Sequence, residues 1–168
     1  YPADYMLSKT TPTKLLHNGI EILCEDEIKL VGQHNLTNIL AVFALLKPLN
    51  LDIDQTCKTI KDFAGLEHRC QVVRFENNIK WVNDSKATNL GSLLACLNGL
   101  KVKNTLHLLM GGDAKGADLG SLKPILKRFN CKLYCFGKDK GQIANLTEGS
   151  IQFNTMQESI DYLRPTLE

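Results

Sequence analysis

Residues Trp81 to Asn89, WVNDSKATN, combine a strand pattern with a polar turn, and together these indicate both the fold and a ligand site. This stretch starts as an apolar strand and stops in polar residues that include the acid Asp84 and the base Lys86. A helix-compatible run, Leu93 to Leu100, follows. In an open α/β sheet the carboxyl end of a parallel strand faces a crevice, and the next helix points free N–H groups into it. The order of strand, polar turn and helix therefore predicts a ligand site in this turn.

A turn without a function is the alternative interpretation of the same residues. Such a turn favours Gly, Pro, Asn and Asp. It has no need of Lys86 and Thr88 so close to Asp84. Spacing alone does not decide between the two interpretations.

Two later strand ends carry the same residue types. The apolar strand Thr105 to Met110 ends in GGDAKGADLG, which offers the cation Lys115 and glycines that let the backbone approach a ligand. The strand Lys132 to Phe136 ends in Gly-Lys-Asp. Because strands alternate with helices, the pattern predicts an α/β fold with a mostly parallel sheet and helices on both faces. All three strand ends would then share one crevice edge.

Smaller elements of this half follow from turn residues and apolar periodicity. Asn77-Asn78 predicts a hairpin between Gln71–Phe75 and Lys80–Val82. A helix is expected over Ser121 to Phe129. A short helix, a fourth strand and a last helix should follow, over Gln142–Leu146, Ile151–Phe153 and Gln157–Leu163.

The first part of the chain shows a different pattern, a hairpin followed by two helices. Asn18-Gly19 between two apolar runs predicts short antiparallel strands. A helix then opens near Gly32 and ends before Pro48, with Asn35 placed as its N-cap and Asn38 one turn along on the same side. The second helix runs from Asp54 to Phe63, with Asp52 or Asp54 as its cap.

Asn35 and Asn38 have two interpretations. They are either a structural cap with an incidental neighbour, or two carboxamides presented to a ligand at a helix N-terminus. The residues alone favour the structural interpretation.

The run Gly65-Leu66-Glu67-His68-Arg69 predicts a domain boundary, because a flexible glycine precedes two basic side chains and a new periodicity starts after them. It divides the chain into residues 1–65 and 66–168. His68 and Arg69 are either part of a solvated linker or part of a hinge that also touches a ligand, since crevices between domains commonly hold sites.

Composition excludes several classes of protein. The 168 residues are 43% hydrophobic and 23% charged, as in an ordinary globular protein. The formal net charge is +2 and the basic residues are scattered, so neither nucleic acid nor a membrane is an expected partner. No apolar run approaches the roughly 20 residues of a spanning helix, and the N-terminus lacks the apolar core of a signal peptide, so a cytoplasmic protein is expected.

Two further absences narrow the chemistry. The six cysteines form no C-x-x-C pair and are predicted to be reduced, buried thiols, with a disulfide framework or a zinc site as the lesser alternative. The chain contains neither G-x-x-x-x-G-K-[ST] nor G-x-G-x-x-G. These 168 residues are therefore not the phosphate-cradling half of an NTPase.

Five motifs in order, GQHNLTN, GLEHR, WVNDSKATN, LHLLMGGDAKGAD and LYCFG, resemble the bacterial Mur ligases from about Gly19 to the end of the chain. That family has three domains. The resemblance implies that residues 1–65 are the C-terminal part of the central ATP-binding domain. It implies that residues 66–168 are a Rossmann-like domain that brings the amino acid and is incomplete at its C-terminus. The P-loop and the metal ligands would precede Tyr1, so a fragment that is inactive by itself is expected.

The resemblance also implies the chemistry. These enzymes use ATP and Mg²⁺ in peptidoglycan synthesis: the carboxylate of UDP-N-acetylmuramoyl-L-alanine is phosphorylated, and the amine of D-glutamate attacks the acyl phosphate. The enzyme would be a monomer whose partners are these small molecules, and no metal ligand is expected in this chain. By the same resemblance the nucleotide contacts are Asn35, Asn38, His68, Arg69, Asp84 and Lys86, with Lys86 also catalytic, and the D-glutamate contacts are Thr88 and Lys115.

Two other functions stay open at this point. A folylpolyglutamate synthase-like ligase shares the architecture, although WVNDSKATN and GGDAKGAD favour the D-glutamate enzyme. A non-catalytic α/β module that binds a nucleotide or an amino acid would also explain the missing P-loop.

Overall fold

A computed structural model describes residues 4–50 and 52–167. The chain packs into two compact units, one holding the residues up to Ala87 with 98–100, and the other holding 88–97 with the residues from Lys101 onward. The division by packing thus falls inside WVNDSKATN. The domain boundary near Gly65 stays a prediction.

The first unit opens with an antiparallel sheet of order β1-β2-β3, in which β1 is Tyr5–Leu7, β2 is Lys14–His17 and β3 is Ile20–Cys24. Asn18 and Gly19 join β2 to β3 with φ of 50° and 82°. Two consecutive positive φ angles are what a two-residue hairpin turn requires. The antiparallel strands predicted at this turn are confirmed, whereas β1 was not expected from the sequence.

Helices α1 (Gln33–Leu46) and α2 (Ile53–Asp62) complete the core of the first unit. Both were predicted from apolar spacing near 3.6 residues. Asp52 caps α2, because its carboxylate accepts from the N–H groups of Asp54 and Gln55 at 2.8 and 3.2 Å. The buried core cluster is Leu15, Leu23, Ile28, Leu36, Ile39, Phe43 and Cys57.

The predicted N-cap of α1 was wrong. Gly32 occupies that position with φ of 104°, in a region that residues with a Cβ rarely adopt. The helix therefore starts earlier than expected, and Asn35 lies in its first turn. Its side-chain Nδ2 donates to the Val31 carbonyl at 2.8 Å.

A hairpin of β4 (Gln71–Glu76) and β5 (Ile79–Asn83) follows in the same unit. Asn77 and Asn78 form its turn with φ of 50° and 61°, which confirms the predicted hairpin. Within the described residues β5 pairs with β4 alone, in a two-stranded sheet. The expectation that this strand end shares the edge of the parallel sheet was therefore wrong. The tight turn pairs one edge of β5 with β4, and among the described residues no strand pairs with its other edge.

The second unit is built on a parallel sheet of order β6-β7-β8, with α5 and α6 packed against it. The register pairs Thr105 with Asn130 and Gly111 with Phe136, so the carboxyl ends of β6 and β7 lie side by side. In chain order the elements are α3 (Leu90–Gly99), β6 (Thr105–Gly111), α4 (Lys123–Leu126), β7 (Asn130–Phe136), α5 (Lys140–Ala144), β8 (Ile151–Gln152) and α6 (Met156–Leu163). The predicted alternation of strands and helices with parallel pairing is confirmed.

The helix expected from Ser121 to Phe129 is shorter than predicted. A 3-10 turn spans Leu119–Leu122, and α4 is four residues long. Pro124 lies at its start and has no N–H to continue a preceding helix. After α4, the N–H of Phe129 bonds the Leu126 carbonyl, and β7 begins at Asn130.

All six cysteines carry free thiols, and four of them are buried. Burial raises the pKa of the Cys131 thiol to about 11. Among the residues that the structure describes, no helix has the length and apolar character needed to cross a membrane.

Candidate functional site

Two turns of the first unit, residues 65–71 and 83–87, are hydrogen-bonded to each other, and we call them the paired turns. The N–H of Cys70 donates to Asp84 Oδ1 at 3.0 Å. The N–H of Lys86 donates to the His68 carbonyl at 3.1 Å. These bonds bring the predicted residues His68, Asp84 and Lys86 together, although 18 positions separate the first from the last.

His68 is held in the paired turns through both its backbone and its ring. It adopts φ of 63°, and its ring Nδ1 lies 3.0 Å from Asn83 Nδ2. Its N–H donates to Gln71 Oε1 at 3.1 Å. Gln71 and Asn83 are direct cross-strand partners at the open end of the β4–β5 hairpin. The sequence alone did not single out these two residues; the signal that could have found them is this polar pair at the open end of the predicted hairpin.

The paired turns present both charge signs to solvent. Arg69 and Lys86 have exposed side chains, whereas Asp84 is half-buried. Lys86 uses its backbone to hold the turn, so its ammonium is not needed for that contact. Arginine and lysine bind phosphate or carboxylate groups, and a carboxylate accepts from ligand hydroxyls. The side chains of the paired turns are therefore of the types that bind anionic groups and hydroxyls.

Asn35 and Asn38 lie on α1 in the same unit. Asn35 is half-buried and Asn38 is exposed, and their spacing of three places them on one side of the helix. Since Asn35 donates through Nδ2 to Val31, its Oδ1 is the group it can still offer as an acceptor. Among the described residues, neither His68, Asp84 nor Lys86 has a direct hydrogen bond to either asparagine.

The carboxyl ends of β6 and β7 carry a second group of charged residues, which we call the strand-end cluster: Asp113, Lys115, Lys138 and Asp139. Lys138 Nζ donates to Asp113 Oδ2 at 2.9 Å, and the Lys115 N–H donates to Asp113 Oδ1 at 2.7 Å. The Ala114 N–H donates to Asp139 Oδ2 at 2.6 Å. The predicted convergence of polar strand ends is thus found for β6 and β7.

Electrostatics keeps the Asp113–Lys138 pair charged. The hydrogen bond from Lys138, helped by the Lys115 N–H, holds the pKa of the Asp113 carboxyl below its usual value. The same bond raises the pKa of Lys138. Lys115 is exposed and adopts φ of 52°, so it projects from a tightly turned loop.

Gly137 allows the two loops of the strand-end cluster to touch. Its φ is 78°, and a Cβ at this position would lie 2.7 Å from the backbone nitrogen of Gly112. The N–H of Asp139 also donates to the Gly112 carbonyl at 3.2 Å. The loops after β6 and β7 are therefore held together by backbone as well as by side chains.

Thr88 lies in the second unit and has an exposed side chain. The next residue, Asn89, starts α3, because its Oδ1 accepts from the Ser92 N–H at 2.9 Å. Thr88 therefore precedes a helix N-terminus, where free N–H groups favour an anion. Among the described residues, no direct hydrogen bond joins Thr88 to Lys115.

No protein-family model matches the chain. It is 45% identical over 166 residues to the UDP-N-acetylmuramoylalanine–D-glutamate ligase of Pasteurella multocida (strain Pm70), covering 98% of this chain and 38% of that protein. It is 47% identical over 156 residues to the ligase of the same name from Vibrio parahaemolyticus, covering 93% of this chain and 36% of that protein. The chain thus spans a little over a third of the length of these relatives.

A solved structure supports the fold. The crystal structure of the UDP-N-acetylmuramate-alanine ligase MurC from Thermotoga maritima matches with a TM-score of 0.69 over 94% of this chain and 39% of that chain. The sequence identity is 17%, so this likeness bears on the architecture alone. It confirms the α/β fold class predicted from the sequence.

Proposed function

We propose that this chain is part of an ATP-dependent ligase that joins D-glutamate to UDP-N-acetylmuramoyl-L-alanine. Its sequence is similar to Mur ligases, and in particular to UDP-N-acetylmuramoylalanine–D-glutamate ligases. The observation that carries the proposal is 45% identity along 98% of the chain. The reaction belongs to peptidoglycan synthesis, and its place is the cytoplasm.

The remaining parts of the enzyme are proposed to come from outside these residues. The 168 residues contain no G-x-x-x-x-G-K-[ST] loop, so the phosphate cradle and the Mg²⁺ ligands would be supplied by other segments of the polypeptide. Residues 1–65 would be the C-terminal part of the central ATP-binding domain. Residues 66–168 would be the Rossmann-like domain that binds the amino acid.

The paired turns and α1 are proposed to bind the nucleotide. The chemistry of the donor set fits ATP: Arg69 and Lys86 are exposed cations for phosphates, and half-buried Asp84 can accept from ribose hydroxyls. His68 would contact the nucleotide beside Arg69. Asn35 and Asn38 would supply carboxamides to the base. ATP provides the phosphoryl group that activates the carboxylate of the UDP-sugar substrate.

Lys86 is the proposed catalytic residue. Its backbone is fixed by the bond to His68, while its ammonium is exposed and available to a ligand. At the transferring phosphoryl group and the resulting acyl phosphate, an ammonium would stabilise the negative charge that develops as the amine attacks. The products are the amide, ADP and phosphate.

Thr88 and Lys115 are proposed to hold the two carboxylates of D-glutamate. Thr88 has a hydroxyl beside the N-terminus of α3, and Lys115 is an exposed cation on a loop fixed by hydrogen bonds. Holding the amine close to the acyl phosphate replaces an encounter in solution by a reaction between positioned groups.

The test uses the complete polypeptide that contains this chain. ADP release should require UDP-N-acetylmuramoyl-L-alanine and D-glutamate together, and L-glutamate in excess should not compete. Competition by L-glutamate, or turnover with a pteroyl substrate, would identify a folylpolyglutamate synthase-like ligase instead. Nucleotide binding without ADP release under any of these conditions would indicate a non-catalytic module.

A further inference from the structure

Asp113 uses both of its carboxylate oxygens within the strand-end cluster. Oδ1 accepts from the backbone N–H of Lys115 at 2.7 Å, and Oδ2 pairs with Lys138 Nζ at 2.9 Å. The acid nearest in sequence to Lys115 is thus bound to the backbone of Lys115 and to the side chain of a different lysine. The ammonium of Lys115 is left out of this arrangement.

Both lysines of the strand-end cluster interact with the Asp113 carboxylate. The positive charges of both act on Asp113, and Lys138 has the larger effect because it also donates a hydrogen bond. Without the Lys138 ammonium, Lys115 would be the remaining lysine of the strand-end cluster that could pair with Asp113. A side chain two residues away on an exposed, tightly turned loop can rotate to pair with that charge.

Two hydrogen bonds between the loops after β6 and β7 remain when the Lys138 side chain is removed. The Ala114 N–H donates to Asp139 Oδ2 at 2.6 Å, and the Asp139 N–H donates to the Gly112 carbonyl at 3.2 Å. Neither bond involves the Lys138 side chain. Removing that ammonium should therefore change how charge is shared within the cluster while the backbone stays in place.

We propose that Lys138 is a positioning residue: by pairing with Asp113 it keeps the Lys115 ammonium available for an anionic substrate. The identity of that anion as a D-glutamate carboxylate rests on the proposed function. The interaction of Asp113 with both lysines does not depend on the proposed function.

Three variants of the complete polypeptide test this. Lys138→Met removes the cation, Lys138→Arg keeps it, and the double variant Lys138→Met with Asp113→Asn removes both charges. In the double variant the amide oxygen of Asn can still accept from the Lys115 N–H. A role limited to packing or loop stability would make the double variant at least as defective as Lys138→Met. The proposal instead expects Asp113→Asn to restore the availability of the Lys115 ammonium that Lys138→Met lowers.

The first measurement is the rate at which an N-hydroxysuccinimide ester acylates Lys115, followed by peptide mass spectrometry with exposed Lys132 as the internal reference. Lys138→Met should slow acylation of Lys115 about two- to fivefold, the range that an exposed ion pair supports. Lys138→Arg and the double variant should react like the unaltered protein. An unchanged rate in Lys138→Met would overturn the proposal.

The second measurement is the KM for D-glutamate. Lys138→Met should raise it about two- to fivefold at unchanged kcat, with recovery in Lys138→Arg and in the double variant. Slowed acylation with an unchanged KM would support the sharing of Asp113 and overturn the binding of D-glutamate by Lys115. A double variant no better than Lys138→Met in either measurement would overturn the proposal itself.

Discussion

Lys86 holds the paired turns through its backbone, and its side chain is proposed to act in catalysis. Its N–H bonds the His68 carbonyl at 3.1 Å, and this contact survives in any residue other than proline. Lys86→Ala in the complete polypeptide therefore removes the ammonium and leaves the paired turns joined. If that ammonium stabilises charge in the transition state, kcat should fall roughly 100-fold or more. Lys80→Ala, at an exposed lysine of β5, is the matched control, and near-normal turnover in Lys86→Ala would refute the assignment.

His107 makes the stability of the second unit sensitive to pH. Burial, and to a lesser degree the charge of Lys132, lowers the pKa of His107 below its usual 6.5. Its Nδ1 lies 2.9 Å from the hydroxyl of Tyr134, which is 4% exposed. A neutral ring can accept from that hydroxyl, whereas a protonated ring cannot.

The direction in which the free energy of unfolding changes with pH follows from proton binding by His107. The unfolded chain protonates His107 at higher pH than the folded chain does, so the free energy of unfolding should fall as pH drops below about 6.5. His107→Asn places an amide oxygen as an acceptor near the position of Nδ1, and asparagine does not titrate. The free energy of unfolding of this variant should therefore depend less steeply on pH between about pH 8 and pH 5. Urea denaturation across this range measures both slopes. Equal slopes would contradict the role of His107.

Residue types were easier to predict than residue geometry. The acid and base of WVNDSKATN, and the cation of GGDAKGAD, were chosen for their residue type and their place after an apolar strand, and their binding roles stay predictions. The N-cap of α1 was misassigned because Gly32, which has no side chain, holds that position through its backbone. Gln71 and Asn83 were missed because their pairing depends on the register of a hairpin.

At the level of elements, the loops after β6 and β7 depend on Gly137. Gly137 and Gly149 both have positive φ, 78° and 71°, but a Cβ would meet backbone within 4 Å at Gly137 alone of the two. Alanine at either position should lose about 1–2 kcal/mol for its left-handed backbone. Gly137→Ala should lose about 1–3 kcal/mol more from crowding against Gly112. Urea denaturation of the two variants gives the difference, and equal losses would show that the loops can separate freely.

Periodicity predicted the long elements and failed on the short ones. Helices α1 and α2 and strands β6 and β7 each repeat their apolar pattern enough times to be recognised. In the segment after Asp118, Pro124 lies in the first turn of α4 and has no N–H with which to continue a helix from the residues before it. Strand β5 and its partner β4 were predicted, but β5 was wrongly expected at the edge of the parallel sheet, because further strand pairing is a tertiary property. The hairpin at Asn77-Asn78 already implied an antiparallel partner.

At the level of the whole molecule, the 168-residue chain and the complete polypeptide should behave differently. The chain by itself should release no ADP in response to D-glutamate, because it contains no phosphate-cradling loop. The complete polypeptide should do so under the same conditions. A coupled assay for ADP at equal molar concentrations separates the two. D-glutamate-dependent ADP release by the isolated chain would overturn this view of where the ATP phosphates are held.

The division into two packing units could not be predicted. It falls between Ala87 and Thr88, inside the stretch that was interpreted as one site. No change in composition marks that point, and the flexible glycine lies 22 residues earlier, at Gly65. Packing units follow long-range contacts, which local composition does not encode. Predicted site residues on the two sides of the division, Asp84 and Lys86 on one and Thr88 on the other, are therefore best tested as separate groups.

The left-handed turns have a consequence for the evolution of this sequence. Four of the seven described non-glycine residues with positive φ are asparagines, namely Asn18, Asn50, Asn77 and Asn78, and all four are exposed. A β-branched residue there would be strained by the backbone, whereas glycine or aspartate is tolerated. Related sequences should therefore drift among Asn, Gly and Asp at these positions. Conservation there reports the handedness of the backbone rather than a binding role.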